Sequence, residues 1–137
     1  MPQKIVVSSK TLVETARAEI EEVTAAEAIR LAADPGVLLV DIRDPRELER
    51  EGRVPGAFHA TRGMLEFWID PESPYYKPVF GEDRKFVFFC AGGMRSVLAA
   101  KVAQDMGLRP VAHVIGGFKA WKEAGGAVEM PKPKAKA

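Results

Sequence analysis

Phe86-Val87-Phe88-Phe89-Cys90-Ala91-Gly92-Gly93-Met94-Arg95-Ser96 is the stretch whose reading decides the fold. Its unbroken apolar start predicts a strand buried on both faces of a sheet. Cys90 ends that strand, and two glycines open a loop. A helix then runs through Met106 and is closed by Gly107. Upstream, Val37-Leu38-Leu39-Val40 is a second buried strand, ending at Asp41. Downstream, Val111 to Ile115 is a third. Gly116-Gly117 then turns the chain into a last helix, Phe118 to Ala124, which stops at Gly125-Gly126.

The segments between these strands read as helices and loops. Thr24 caps a helix with Glu27 three residues on, and Asp34-Pro35-Gly36 stops it. Asp44-Pro45-Arg46-Glu47 opens another, with Pro45 at the first helical position. Ala57 to Ala60 is a short strand, and Arg62 to Ile69 one or two helical turns. Thr11 to Val23 places Leu12, Ala16, Ile20 and Val23 on one helical face, and its end, Ile20 to Val23, reads equally as a strand. Asp70 to Lys85 contains Pro71, Pro74 and Pro78 without periodicity, so it is a lid or a wrap. Strands alternate with helices from Val37 to Gly126, which predicts an α/β domain with a mainly parallel sheet. In such a sheet ligands sit beyond the carboxyl ends of the strands, where Cys90 lies.

Composition narrows the function classes. The 137 residues carry 20 basic and 19 acidic side chains, so charge points to neither nucleic acid nor a membrane surface as partner. Lys132, Lys134 and Lys136 belong to a solvated tail, so the body is slightly acidic. The single cysteine excludes an intrachain disulfide and a cysteine-rich zinc site. His59 and His113 have no metal-ligand spacing, and no metal or cofactor is expected. The short apolar run Ile5-Val6-Val7 is not a signal peptide, and no run approaches the roughly 20 residues of a membrane span. A cytoplasmic protein is expected, with an N-terminal, helical extension at 1–19, one domain at 20–128 and a disordered tail at 129–137.

The loop after Cys90 has the chemistry of an anion site. Glycines admit backbone conformations that let several N–H groups converge, and the following helix adds its own unpaired N–H groups and dipole. A free cysteine is only about 3% thiolate at neutral pH. Lowering its pKa by roughly two units takes about 2.7 kcal/mol, within reach of two or so hydrogen bonds to a charged acceptor. Cys90 is therefore a candidate nucleophile needing no histidine base, with Ala91, Gly92, Gly93, Met94, Arg95 and Ser96 as the candidate substrate-binding loop. Arg95 either binds an oxyanion of the substrate or braces the loop. Ser96 caps the helix or donates to the sulfur. Arg62, after another strand end, is either a further positive charge for an anionic donor or a solvated arginine. The plain alternative for Cys90 is a small buried hydrophobe, but structural cysteines rarely sit in electropositive loops.

These residues resemble the rhodanese family of sulfurtransferases. Asp41-Ile42-Arg43-Asp44, with Glu47 and then Gly52-Arg53-Val54-Pro55-Gly56-Ala57, is similar to the family's first signature. Val114-Ile115-Gly116-Gly117-Phe118, with Trp121, resembles its closing one. The likeness spans Val23 to Ala124 with the pieces in order. Arg53-Val54 stands where the family more often has His-Ile. The resemblance implies a three-layer fold whose five-stranded, mainly parallel sheet is flanked by helices. It implies double displacement: the Cys90 thiolate takes the sulfane sulfur of thiosulfate or a related small anionic donor. A persulfide then forms and passes its sulfur to cyanide, an external thiol or a protein acceptor. Without a second cysteine, the acceptor must come from outside.

Three rivals have distinct signatures. Phosphatases and arsenate reductases of related fold have a similar Cys…Arg loop, one residue longer than the four residues, Ala91 to Met94, that intervene here. A persulfide carrier or regulatory domain for one protein partner would turn over small acceptors poorly. A cysteine hydrolase would pair Cys90 with His59 or His113, both of which read more simply as packed or hydrogen-bonded side chains.

Overall fold

The computed structural model describes residues 2–131. Five parallel strands form one sheet in the order β1-β5-β4-β2-β3: Glu21–Val23 (β1), Val37–Asp41 (β2), Phe58–His59 (β3), Lys85–Phe89 (β4) and Val111–Val114 (β5). The helices are Ser9–Arg17 (α1), Ala25–Leu31 (α2), Pro45–Glu51 (α3), Leu65–Ile69 (α4), Met94–Asp105 (α5) and Gly117–Glu123 (α6). The two readings of the segment from Thr11 to Val23 are both realised, a helix followed by a strand.

Strand alternation divides the core into two layers. Leu38, Val40, Phe86, Phe88 and Val111 face α1, α4 and α5, together with Ala16, Leu65 and Ala100. Val37, Leu39, Val87, Phe89, Ala112 and Val114 face α2 and α6, together with Ala28, Phe118 and Trp121. β4 is the central strand, and burying its Phe86 and Phe88 completely contributes roughly 2–3 kcal/mol for each ring. Local signals set the helix starts. The Thr24 hydroxyl accepts the Glu27 N–H at 3.1 Å, and Asp44 with Glu47 forms a complete capping box at α3.

The proline-rich segment after α4 packs beside the sheet. Pro78–Gly81 forms a 3₁₀ turn, and Phe80 enters the core edge-on to Phe58 and stacked on Phe86. Near the C-terminus, Glu129 makes an isolated antiparallel bridge to Arg53, with both backbone N–H···O bonds at 2.9 Å. The tail expected at 129–137 thus begins with a bonded residue, and its Lys132, Lys134 and Lys136 lie outside the described residues. Among the described residues no helix is long and apolar enough to cross a membrane.

Candidate active site

Cys90 follows β4 directly and is 1% exposed, at the carboxyl end of the central strand. The Gly93 N–H donates to its Sγ at 3.1 Å, and the Ser96 Oγ lies 3.6 Å from it. The loop thus brings one amide to the sulfur, where the glycines had suggested several. Gly93 has a φ of 105°, which turns the chain into α5 without a side-chain cap. Ala91 is half-buried, whereas Gly92, Met94 and Arg95 are exposed and Ser96 is buried.

The loop is fastened from below by α6. The N–H of Phe118 donates to the Cys90 carbonyl at 2.7 Å, and that of Lys119 to the Ala91 carbonyl at 3.2 Å. Gly117 permits this approach: a Cβ there would stand 2.3 Å from the Cys90 carbonyl oxygen.

Arg95 is held on the other side. Its two terminal nitrogens donate to the two carboxylate oxygens of Glu47 at 2.9 and 3.0 Å. Glu47 simultaneously accepts the Asp44 N–H, so the cap of α3 and the first turn of α5 share one carboxylate. The Arg95 hydrogen bond holds the Glu47 carboxyl at about 2, well below its ordinary range. In turn Glu47, and secondarily Cys90, raise the pKa of Arg95. Two of the five guanidinium N–H groups are used on Glu47, leaving donors for an anion.

Beneath this pair, Arg43 and Asp41 form a buried ion pair. Arg43 Nη2 reaches Asp41 Oδ2 at 2.8 Å and the Gly52 carbonyl at 2.9 Å, with the guanidinium 4.1 Å from the Phe118 ring centre. This pair fixes the turn between β2 and α3. His59 Nε2 donates to the Arg43 carbonyl at 2.7 Å, part of the same turn.

Arg62 sits elsewhere. Its guanidinium pairs with Glu66 at 2.7 Å and borders a groove beside α1 and α5 with Leu12, Leu98 and Lys101. None of its described hydrogen bonds goes to the Cys90 loop.

Sequence reasoning passed over a polar chain behind the sulfur. Ser96 Oγ is 3.1 Å from His113 Nδ1, and His113 Nε2 is 2.8 Å from Glu22 Oε2. Arg17 Nε donates to that same Glu22 oxygen at 3.1 Å. The signal was parity: His113 alternates with Ala112 and Val114, so it faces the α5 layer that also holds Cys90.

The family model described as Rhodanese-like domain matches residues 24–124. The chain belongs to this family. Relatives of the rhodanese-like domain include YtwF of Bacillus subtilis, named as an inferred sulfurtransferase. It is 33% identical over 105 residues, which cover 76% of this chain and 92% of YtwF. A sulfurtransferase of Allochromatium vinosum is 31% identical over 103 residues, covering 75% of this chain and 88% of its own. Among solved structures, RPA3614 from Rhodopseudomonas palustris superposes with a TM-score of 0.91 at 61% identity, covering 94% of this chain and 99% of its own. RPA3614 is described as a protein of unknown function and possible tyrosine phosphatase. Family and relatives together support a sulfurtransferase at the level of the rhodanese-like family.

Proposed function

We propose that the protein moves a sulfane sulfur from thiosulfate, or a related small anionic donor, to a thiol or cyanide through a persulfide on Cys90. The observation that carries this reading is the placing of the lone cysteine under the Gly93 N–H at the carboxyl end of β4, with Arg95 clamped beside it. In the first step the Cys90 thiolate attacks the outer sulfur of thiosulfate. The donor's S–S bond breaks, and sulfite leaves with its electron pair. In the second step the acceptor thiolate attacks the outer sulfur of the persulfide and releases the Cys90 thiolate. The Gly93 N–H and the Ser96 hydroxyl offer hydrogen bonds to the charged sulfur. Arg95, fixed by Glu47, orients the anionic donor, while Ala91, Gly92 and Met94 shape the loop around it. Arg62 supplies at most a distant positive charge, since its guanidinium is engaged by Glu66.

A phosphatase reading is favoured by one observation, the description attached to RPA3614. Against it stands the loop, in which only Ala91, Gly92, Gly93 and Met94 separate cysteine from arginine. That space suits one sulfur atom better than a phosphoryl group.

Intact-protein mass spectrometry after incubation with thiosulfate tests the proposal. The expected result is a gain of one sulfur, removed by cyanide as thiocyanate and absent in Cys90→Ser. A protein that gains no sulfur but hydrolyses phosphate esters would replace this reading with the phosphatase one. Slow transfer to small thiols after full loading would point to a dedicated protein acceptor.

A further inference from the structure

A buried histidine in a central strand is costly unless both ring nitrogens are satisfied. His113 is 2% exposed and satisfies both, one on Ser96 and one on Glu22. The register makes the arrangement specific. In the parallel sheet Glu22 of β1 lies opposite His113 of β5, which lies opposite Phe88 of β4, two residues before Cys90. Neighbouring strands in register present side chains on one face, so the row points toward α5 and Ser96.

The chain of contacts has two different ends. One is the only cysteine of the protein. The other is the half-buried Glu22 carboxylate, beside Arg17. It borders an open cleft of about 170 Å³ that also contains Gly92, Gly93 and Gly116. A purely structural histidine needs no such outlet. Burial pushes the imidazole's pKa down, and the hydrogen bond from His113 lowers that of Glu22. The resting pair is therefore a neutral ring beside an ionised carboxylate. Nε2–H donates to Glu22, and Nδ1 is left to accept the Ser96 hydroxyl.

We propose that His113, backed by Glu22, receives the proton of the Cys90 thiol through the Ser96 hydroxyl, so that the thiolate is generated inside the fold. The balance is a single proton. The Sγ–H bond breaks toward Ser96 Oγ, and the serine's own hydrogen passes to His113 Nδ1. The hydroxyl, having exchanged one hydrogen for another, stays neutral. No electron is gained or lost by any centre, and the product is a thiolate with an imidazolium held by Glu22. His113 and Glu22 are positioning residues here, because both act through Ser96. The charged and titratable groups around the relay are Arg17 from α1, Glu22 from β1, Cys90 after β4, and Arg95 from α5 with Glu47 of α3 behind it. The proposal rests on Cys90 being the reacting sulfur.

Because Cys90 is the only cysteine, thiolate ultraviolet absorbance reports it alone, with Cys90→Ser as the blank. His113→Asn keeps a polar side chain but removes the base. The thiolate midpoint is expected to rise by about one pH unit, a tenfold loss of thiolate below the midpoint. Glu22→Gln, at the open end of the chain, should move the midpoint in the same direction by less, and it decides the matter if His113→Asn fails to fold. Midpoints in folded variants that coincide with the native one, or fall below it, would overturn the relay. Sulfur loading from thiosulfate, followed by mass in the same proteins, keeps the two ideas apart. A raised midpoint without a sulfur adduct leaves the relay standing and removes sulfur transfer. An adduct with an unmoved midpoint does the reverse.

Discussion

Gly117 shows how much one residue can carry. Its φ is 58°, and a Cβ would meet the Cys90 carbonyl oxygen at 2.3 Å and Ala91 backbone atoms at 2.9 Å. Backbone cannot step aside as a flexible side chain can. Gly117→Ala is therefore expected to cost about 2–3 kcal/mol in urea unfolding, from the left-handed conformation and the crowding together. A cost under about 0.5 kcal/mol would mean that the loop and α6 are more loosely joined than their hydrogen bonds imply. From sequence, Gly116-Gly117 was legible as a turn, but not as the seat of the Cys90 loop. That contact joins residues far apart in the chain. The place of Cys90 at the end of a buried strand was legible because the apolar run and the glycines after it mark that boundary locally. His113 was not, since a lone histidine among Val111, Ala112 and Val114 carries no local sign of the serine and carboxylate it meets.

At the scale of elements, the bond between α3 and α5 has a pH signature. Glu47 is held at about 2 by Arg95, against an ordinary value of 4.5. A carboxylate so lowered stabilises the fold fully above its ordinary range, and the contribution fades as pH falls from about 4.5 toward 2. Arg95 is 45% exposed, so solvent screening reduces the effect to about 1 kcal/mol. Unfolding measured across this window should show a slope that Glu47→Gln flattens; an unchanged slope would assign the acid sensitivity to other carboxylates. Element boundaries encoded locally were readable. Asp44-Pro45 opens α3, and Thr24 opens α2, because capping acts within one turn. The ion pair was not readable, because Glu47 and Arg95 lie 48 residues apart and each already had a local explanation. The proline-rich stretch had offered a lid or a wrap, and Phe80 stacked on Phe86 gives it a seat in the core.

For the whole molecule, the uniform apolar runs of β2 and β4 announced strands covered on both sides, and both lie inside the sheet. Their order was not legible, since alternation tells which face a residue takes and not which strand is its neighbour; the pairing of the strands supplies it. The finished sheet keeps the protein's two tryptophans in opposite layers. Trp68 packs with Phe58 on the α4 side, and Trp121 on the α6 side donates its indole N–H to the Ala127 carbonyl at 2.8 Å. Because α6 hangs from the Cys90 and Ala91 carbonyls, the Trp121 indole is coupled mechanically to the sulfur's cradle. In a Trp68→Phe protein its emission becomes an optical gauge of that cradle. Thiosulfate should change the fluorescence and cyanide restore it, so each half-reaction could be timed in a stopped-flow instrument without any added dye.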